Sequence, residues 1–415
     1  GVAACALGLV LTLSTPALRA APQVASVDSP GGILKVTLEV DGGTARYSVQ
    51  RLGEPVVRAS RLGFELRDGR LDRDFQLVDS RVSTFDQRWE QPWGERRLTR
   101  NHYNELSVAL RQPGAGEQPA RRLDVVFRVY DDGIGVRYVF PQQPGLREAI
   151  IDEELTEFDL AAESTAWWIP AGEPIHYEYL YQRTPLREVP TVHTPLTLRS
   201  ADGLHVAIHE AALVDYAGMW LRRTEGQRLR AQLSPSAEGW KVRRTLPFTT
   251  PWRTLQISDR AGGLVESDLI LNLNEPNALG DVSWVKPSKY LGVWWSMHLD
   301  EESWATGPRH AATTAKTRRV IDFAAENGFR GVLVEGWNPG WDHNWVGNGY
   351  EFDFTRPTAD FDIEGLAAYA AKKNVRLVGH HETGCAIEHY EDQLGAALDL
   401  YARLGVDSFK TGYVC

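Results

Sequence analysis

From Pro22 to Leu273 no helical period runs longer than two turns, and that constrains the fold more than any other feature. Apolar and polar residues alternate instead. Leu34, Val36, Leu38 and Val40 interleave with Lys35, Thr37 and Glu39, the period of a half-buried strand. The segments 123–130 and 136–140 flank Asp131-Asp132-Gly133, a hairpin signal. A stretch this long and nearly all strand implies a large two-sheet sandwich.

Beyond the prolines Pro276 and Pro287 the rhythm changes to strand, helix, strand, helix. Tyr290–Met297 reads as a strand and Ala311–Asn327 as a helix. Gly331–Glu335 is the next strand, and Gly365–Asn374 the next helix, capped by Asp362. Arg376–His380 and Val406–Lys410 are the third and fourth strands. The helix between them shows Leu394, Ala397, Leu398 and Tyr401 on one face. Such βα units build a (β/α)8 barrel or a doubly wound sheet, and no Gly-rich phosphate loop follows the first strand. The expected fold class is multi-domain β plus α/β: a β-sandwich over residues 22–275, a connector over 276–289, and the first half of a barrel over 290–415. Four strands cannot close a barrel, so the natural protein is expected to continue past Cys415.

A net charge of −10 with no basic patch argues against nucleic acid as a partner. Residues 1–21 resemble a secretory signal peptide that lacks its start, with an apolar run, Val2–Leu13, too short to span a bilayer. No membrane span is expected, and the expected location is a bacterial periplasm. If Cys5 leaves with the signal, Cys385 and Cys415 make no disulfide framework. Most of the fourteen tryptophans are core residues by default; some can serve as platforms for sugar rings.

The chemistry gathers where the parallel strands end: His298, Glu335, His380 with Glu382, and Lys410. Alternation puts Val378, His380 and Glu382 on one side of their strand. Any one of these could be a structural ion pair, but four strand ends agree. The loop 336–343, with Trp337, Asn338, Trp341, Asp342 and His343, has the aromatic and short polar residues a sugar pocket requires. Adjacent His380 and His381 point to opposite faces, and no HExxH or CxxC motif is present, so zinc is disfavoured. No GxSxG elbow supports an esterase. One carboxylate stands apart. Glu210 ends the apolar row Leu204, Val206, Ile208, and periodicity favours its being solvated or paired with an arginine over its meeting a cation or another domain.

Several stretches resemble glycoside hydrolase family 97: HEAALVDYAG from His209, NLNEP from Asn272, WVKPSKYLGVWWSMH from Trp284, IDFAAENGFRGVLVEGWN from Ile321, GHHETG from Gly379 and VDSFKTGYV from Val406. The resemblance implies a β-supersandwich packed on a (β/α)8 barrel, with a small C-terminal β-domain beyond residue 415. It implies Glu382 as catalytic base, and His380, Lys410, Glu335 and a tryptophan, Trp294 or Trp295, as contacts for an oligosaccharide. It makes Glu210 a calcium ligand, which displaces the reading from periodicity, and places the general acid, a second base and the other calcium ligands beyond Cys415. Retaining members carry an aspartate nucleophile where this chain has Gly412, which argues for inversion and for α-glucosides as substrates. The alternatives are an α-galactosidase of the same family and a sugar-binding protein that has lost catalysis.

Overall fold

The computed structural model describes residues 21–116, 119–172 and 177–412, so the expected signal segment, Ala21 apart, lies outside the described residues. The chain divides into two compact units between Ala278 and Leu279, with Tyr177 and Glu178 grouping with the second.

The first unit holds an eight-stranded, a ten-stranded and a smaller four-stranded sheet, all antiparallel among the described residues. Alternation decides which side chains go inside. In the strand Leu34–Asp41 every second residue is buried, and Val36 and Leu38 join one core with Val108, Val125 and Phe127 of the ten-stranded sheet. Tyr47 and Phe127 meet across that core with ring centroids 5.8 Å apart. The expected hairpin forms: Tyr130 pairs with Gly133, leaving Asp131-Asp132 as its two-residue turn. The strand His205–Ala211 lies between Leu196–Ser200 and Trp252–Ser258, in a register that sets Glu210 opposite Arg253. Flanked on both edges, it has polar ends that must find partners inside the protein.

The second unit is built on four parallel strands, Tyr290–Val293, Gly331–Val334, Arg376–His381 and Phe409–Thr411, adjacent in chain order. That sequential order is the barrel pattern; a doubly wound sheet reverses direction at a switch point. All four residues of Gly331–Val334 are buried, as a parallel strand covered on both faces requires. The helices Thr314–Glu326, Ile363–Lys372 and Ile387–Leu404 return the chain between strands. Asp362 caps the second, its side chain accepting from the Gly365 N–H at 2.9 Å. Ile321, Leu366, Ala370, Leu400 and Tyr401 turn inward to a common core with Val332 and Val334.

One element departs from expectation. The first parallel strand stops at Val293 instead of continuing to Met297, and Trp295–His298 makes a single helical turn. A short apolar run carries no period long enough to separate a strand from a helix turn. The Trp294 indole folds back against the backbone at Gly292, which no side chain there would permit: a Cβ on that glycine would lie 2.2 Å from Trp294 Cδ1. Among the described residues no helix is long and apolar enough to cross a membrane.

Candidate active site

Glu335 leaves the end of the second strand, and His380 and Lys410 stand opposite each other in register on the third and fourth. This common strand end gathers them. Lys410 Nζ lies 3.3 Å from Glu335 Oε1, and His380 Nε2 lies 3.5 Å from the same oxygen. The Trp304 indole N–H donates to Glu335 Oε2 at 2.9 Å. Lys410 also sits over the Trp294 ring, 5.8 Å from its centroid. Glu335 is thus gripped on both oxygens, yet only the indole contact is short.

Burial pushes the His380 imidazole down to about 4; the Glu335 carboxylate opposes this, and Lys410 adds to it. The ring is therefore neutral at physiological pH. It is buried, lies 6.0 Å from the Trp341 ring, and its Nδ1 has no hydrogen-bond partner among the described residues. His381 takes the opposite face, as strand alternation requires. It stacks on Tyr401 at 4.8 Å, meets the Tyr390 hydroxyl at 3.0 Å, and is likewise pushed down to about 4 by burial. It is a core residue. No group of three metal-ligating side chains occurs among the described residues.

Glu382, just past the third strand, is buried, and its Oε1 accepts from the Gly384 N–H at 3.1 Å. Beside it the fourth strand ends at Gly412, whose N–H donates to the His381 carbonyl at 2.7 Å. A Cβ added at Gly412 would lie 2.0 Å from Glu382 Oε2 and 2.3 Å from Glu382 Cδ. Real atoms do not approach so closely. In this arrangement the Glu382 carboxylate fills the space a side chain at position 412 would need.

Of the two tryptophans expected to contact sugar, Trp294 is part of the cluster through Lys410, whereas Trp295 is 58% exposed and reaches it only through Trp294 and His298. His298 packs its ring against Trp294 and Trp304. Within the aromatic loop, Trp337 and Trp341 are structural. The Trp337 N–H donates to the His380 carbonyl at 2.8 Å and the Trp341 N–H to Asn338 Oδ1 at 3.2 Å, both rings being buried. Sequence reasoning missed Trp304, which lies in no periodic element and is joined to Glu335 only by the fold. Cys385, in the loop after Glu382, is disulfide-bonded.

In the first unit Glu210 is paired with an arginine, one of the two outcomes periodicity favoured. Its Oε2 meets Arg253 Nη1 at 2.7 Å, and its Oε1 accepts from the Met219 N–H at 3.0 Å. Arg253 also forks onto both oxygens of Glu154, at 2.8 and 2.6 Å. Burial pushes the Glu210 carboxyl up, while the guanidinium pulls it back. Calcium takes six to eight oxygen ligands, and the described residues supply no such set around Glu210. They do not make a calcium site by themselves.

Residues 27–276 match the family described as Glycosyl-hydrolase 97 N-terminal, and residues 294–415 match Glycoside hydrolase 97. A glycoside hydrolase family 97 enzyme from Pseudoalteromonas sp. strain K8, solved with acarbose, is 45% identical with a TM-score of 0.90; the alignment covers 94% of this chain and 59% of that one. A variant from the same source, solved with panose, matches equally, at 45% identity, a TM-score of 0.90 and the same 94% and 59% coverage. The retaining alpha-galactosidase of Bacteroides thetaiotaomicron is 25% identical over 443 residues, 98% of this chain and 62% of the relative. The chain therefore spans about three fifths of the length of these relatives. With one family matched across both units, this chain belongs to glycoside hydrolase family 97.

Proposed function

We propose that the full-length protein is an inverting α-glucosidase releasing glucose from the non-reducing end of maltooligosaccharides. One observation carries the reading: position 412 is a glycine, and the Glu382 carboxylate occupies the space a side chain there would fill. A glycosyl-enzyme needs a carboxylate nucleophile, and none can stand at Gly412. Water is then the nucleophile. Glu382 takes a proton from it as the water oxygen bonds to the anomeric carbon and the glycosidic C–O bond breaks. A general acid outside the described residues protonates the leaving oxygen. Such an inverting pair needs carboxyl groups ~6.5–9.5 Å apart, against ~5–5.5 Å for a retaining pair.

Glu335 accepts from sugar hydroxyls, Lys410 donates, and neutral His380 offers a bare Nδ1. Trp294 and Trp304 offer apolar faces. The Pseudoalteromonas relatives seen with acarbose and panose favour an α-glucoside. A second reading, a retaining α-galactosidase, is favoured by the name of the Bacteroides relative; it requires a nucleophile elsewhere than position 412.

The test is the full-length enzyme on maltose and on an α-galactoside. Glucose release from maltose is expected, with Glu382→Gln lowering kcat by on the order of 10²–10⁴-fold. Cleavage of the galactoside with maltose left intact contradicts the reading. Export to the periplasm and a calcium requirement belong to the proposal on the strength of the resemblance. Glu210 would give the ion one carboxylate, with the other ligands coming from outside the described residues. A chelator should lower activity, and unchanged activity after complete calcium removal rejects the requirement.

A further inference from the structure

His310 lies outside every element that the proposed chemistry uses, yet its side chain is fully buried beside the site. Its Nδ1 lies 2.8 Å from Asp360 Oδ2, and its Nε2 lies 3.0 Å from the Gly336 carbonyl oxygen. A carbonyl oxygen only accepts, and so does an ionised carboxylate. Asp360 is ionised: burial would raise its carboxyl, but the hydrogen bond and charge of His310 hold it below the usual range. The ring thus ties the Asp360 carboxylate to the Gly336 carbonyl.

The end of this bridge matters. Gly336 directly follows Glu335 and turns the chain at φ +82, where a Cβ would lie 3.1 Å from the Trp304 carbonyl and 3.4 Å from Ala312 Cβ. Trp304 in turn donates to Glu335 Oε2. The peptide that follows Glu335 and the residue that makes its shortest contact, Trp304, thus meet at the glycine His310 grips. The acids around the ring are Asp360 and Asp342, and the neighbouring cation, Arg309, is turned onto Asp300.

We propose that His310 is a positioning residue which, held by Asp360, pins the Gly336 peptide and so aims Glu335 at the sugar. It donates to no substrate atom itself. The inference rests on Glu335 being a sugar contact, as the proposed function has it.

The test is His310→Phe beside His310→Gln in the full-length enzyme, with kcat and KM for maltose measured separately. Phenylalanine keeps the bulk of the ring and donates to neither partner, whereas the glutamine amide keeps a donor for the Gly336 carbonyl. His310→Phe should raise KM about tenfold relative to wild type with kcat much less affected, and His310→Gln should recover most of that loss. An unchanged KM in His310→Phe, with or without a loss of thermal stability, overturns the inference. A His310→Gln variant that recovers nothing overturns it as well. A wild-type enzyme that ignores maltose defeats the underlying reading instead, so the two failures are distinct.

Discussion

The protein holds carboxylates against cations in two buried places, and it holds them differently. In the sandwich, Arg253 is 0% exposed and is shared between Glu154 and Glu210 by three short contacts of 2.6–2.8 Å. Thr156 and the Met219 N–H take up further acceptor capacity. At the parallel strand ends Glu335 meets Lys410 and His380 at 3.3 and 3.5 Å, and Lys410 is 49% exposed. The first cluster has spent its hydrogen bonds on itself, which is what a desolvated ion group needs to survive burial. The second keeps long contacts, a half-exposed ammonium and an unpartnered imidazole nitrogen. Carboxylates beside basic side chains thus form a closed tie in one unit and a looser cluster, the proposed sugar contact, in the other.

Breaking the tie should have the largest effect. Arg253→Met leaves Glu154 and Glu210 buried without a cation, and the expected loss is about 3–5 kcal/mol, measured by urea unfolding of the sandwich. A loss below about 1 kcal/mol would mean that water or another cation reaches the pair, and the contrast drawn above would fail.

The histidines come next. His380 and His381 are each pushed by burial from near 6.5 to about 4, so the folded state binds fewer protons than the unfolded state between those values. Their contribution is fully present above about pH 6.5 and is lost as pH falls toward about 4, by up to roughly 3 kcal/mol per ring. Unfolding midpoints measured across that window should drop less steeply in His381→Phe. Equal slopes would show that the ring is not held neutral.

Smallest in stability is Lys410→Met, expected to change it by less than about 1 kcal/mol because the ammonium is half exposed. The same change should raise KM for maltose about tenfold, since the charge-assisted donor acts on ligand more than on fold. A large stability loss would make Lys410 a tie like Arg253.

What the sequence revealed was what lies close along the chain. The alternation of Leu34–Val40, the turn at Asp131-Asp132 and the Asp362 cap are local, and they stand as read. So does the opposition of His380 and His381, since neighbours on a strand must part. The gathering of Glu335, His380 and Lys410 was legible from parallel strand ends alone. Missed were the helical turn at Trp295–His298, too short for any period, and partners brought from afar. Trp304 lies 31 residues from Glu335, and Glu154 lies 99 from Arg253. Neither pairing leaves a periodic trace. For Glu210 the pattern of its strand favoured solvation or an arginine partner over a cation, and the structure supplies Arg253. The calcium role came from resemblance alone.

Position 412 is a glycine beside the Glu382 carboxylate and offers no nucleophile of its own, which is the ground for the proposed direct attack by water. Proton NMR of the first minutes of maltose hydrolysis by the full-length enzyme, before mutarotation, tests it most directly. The account predicts β-glucose as the first product from the α-linked substrate. Initial α-glucose would contradict it and would place a carboxylate nucleophile somewhere other than Gly412.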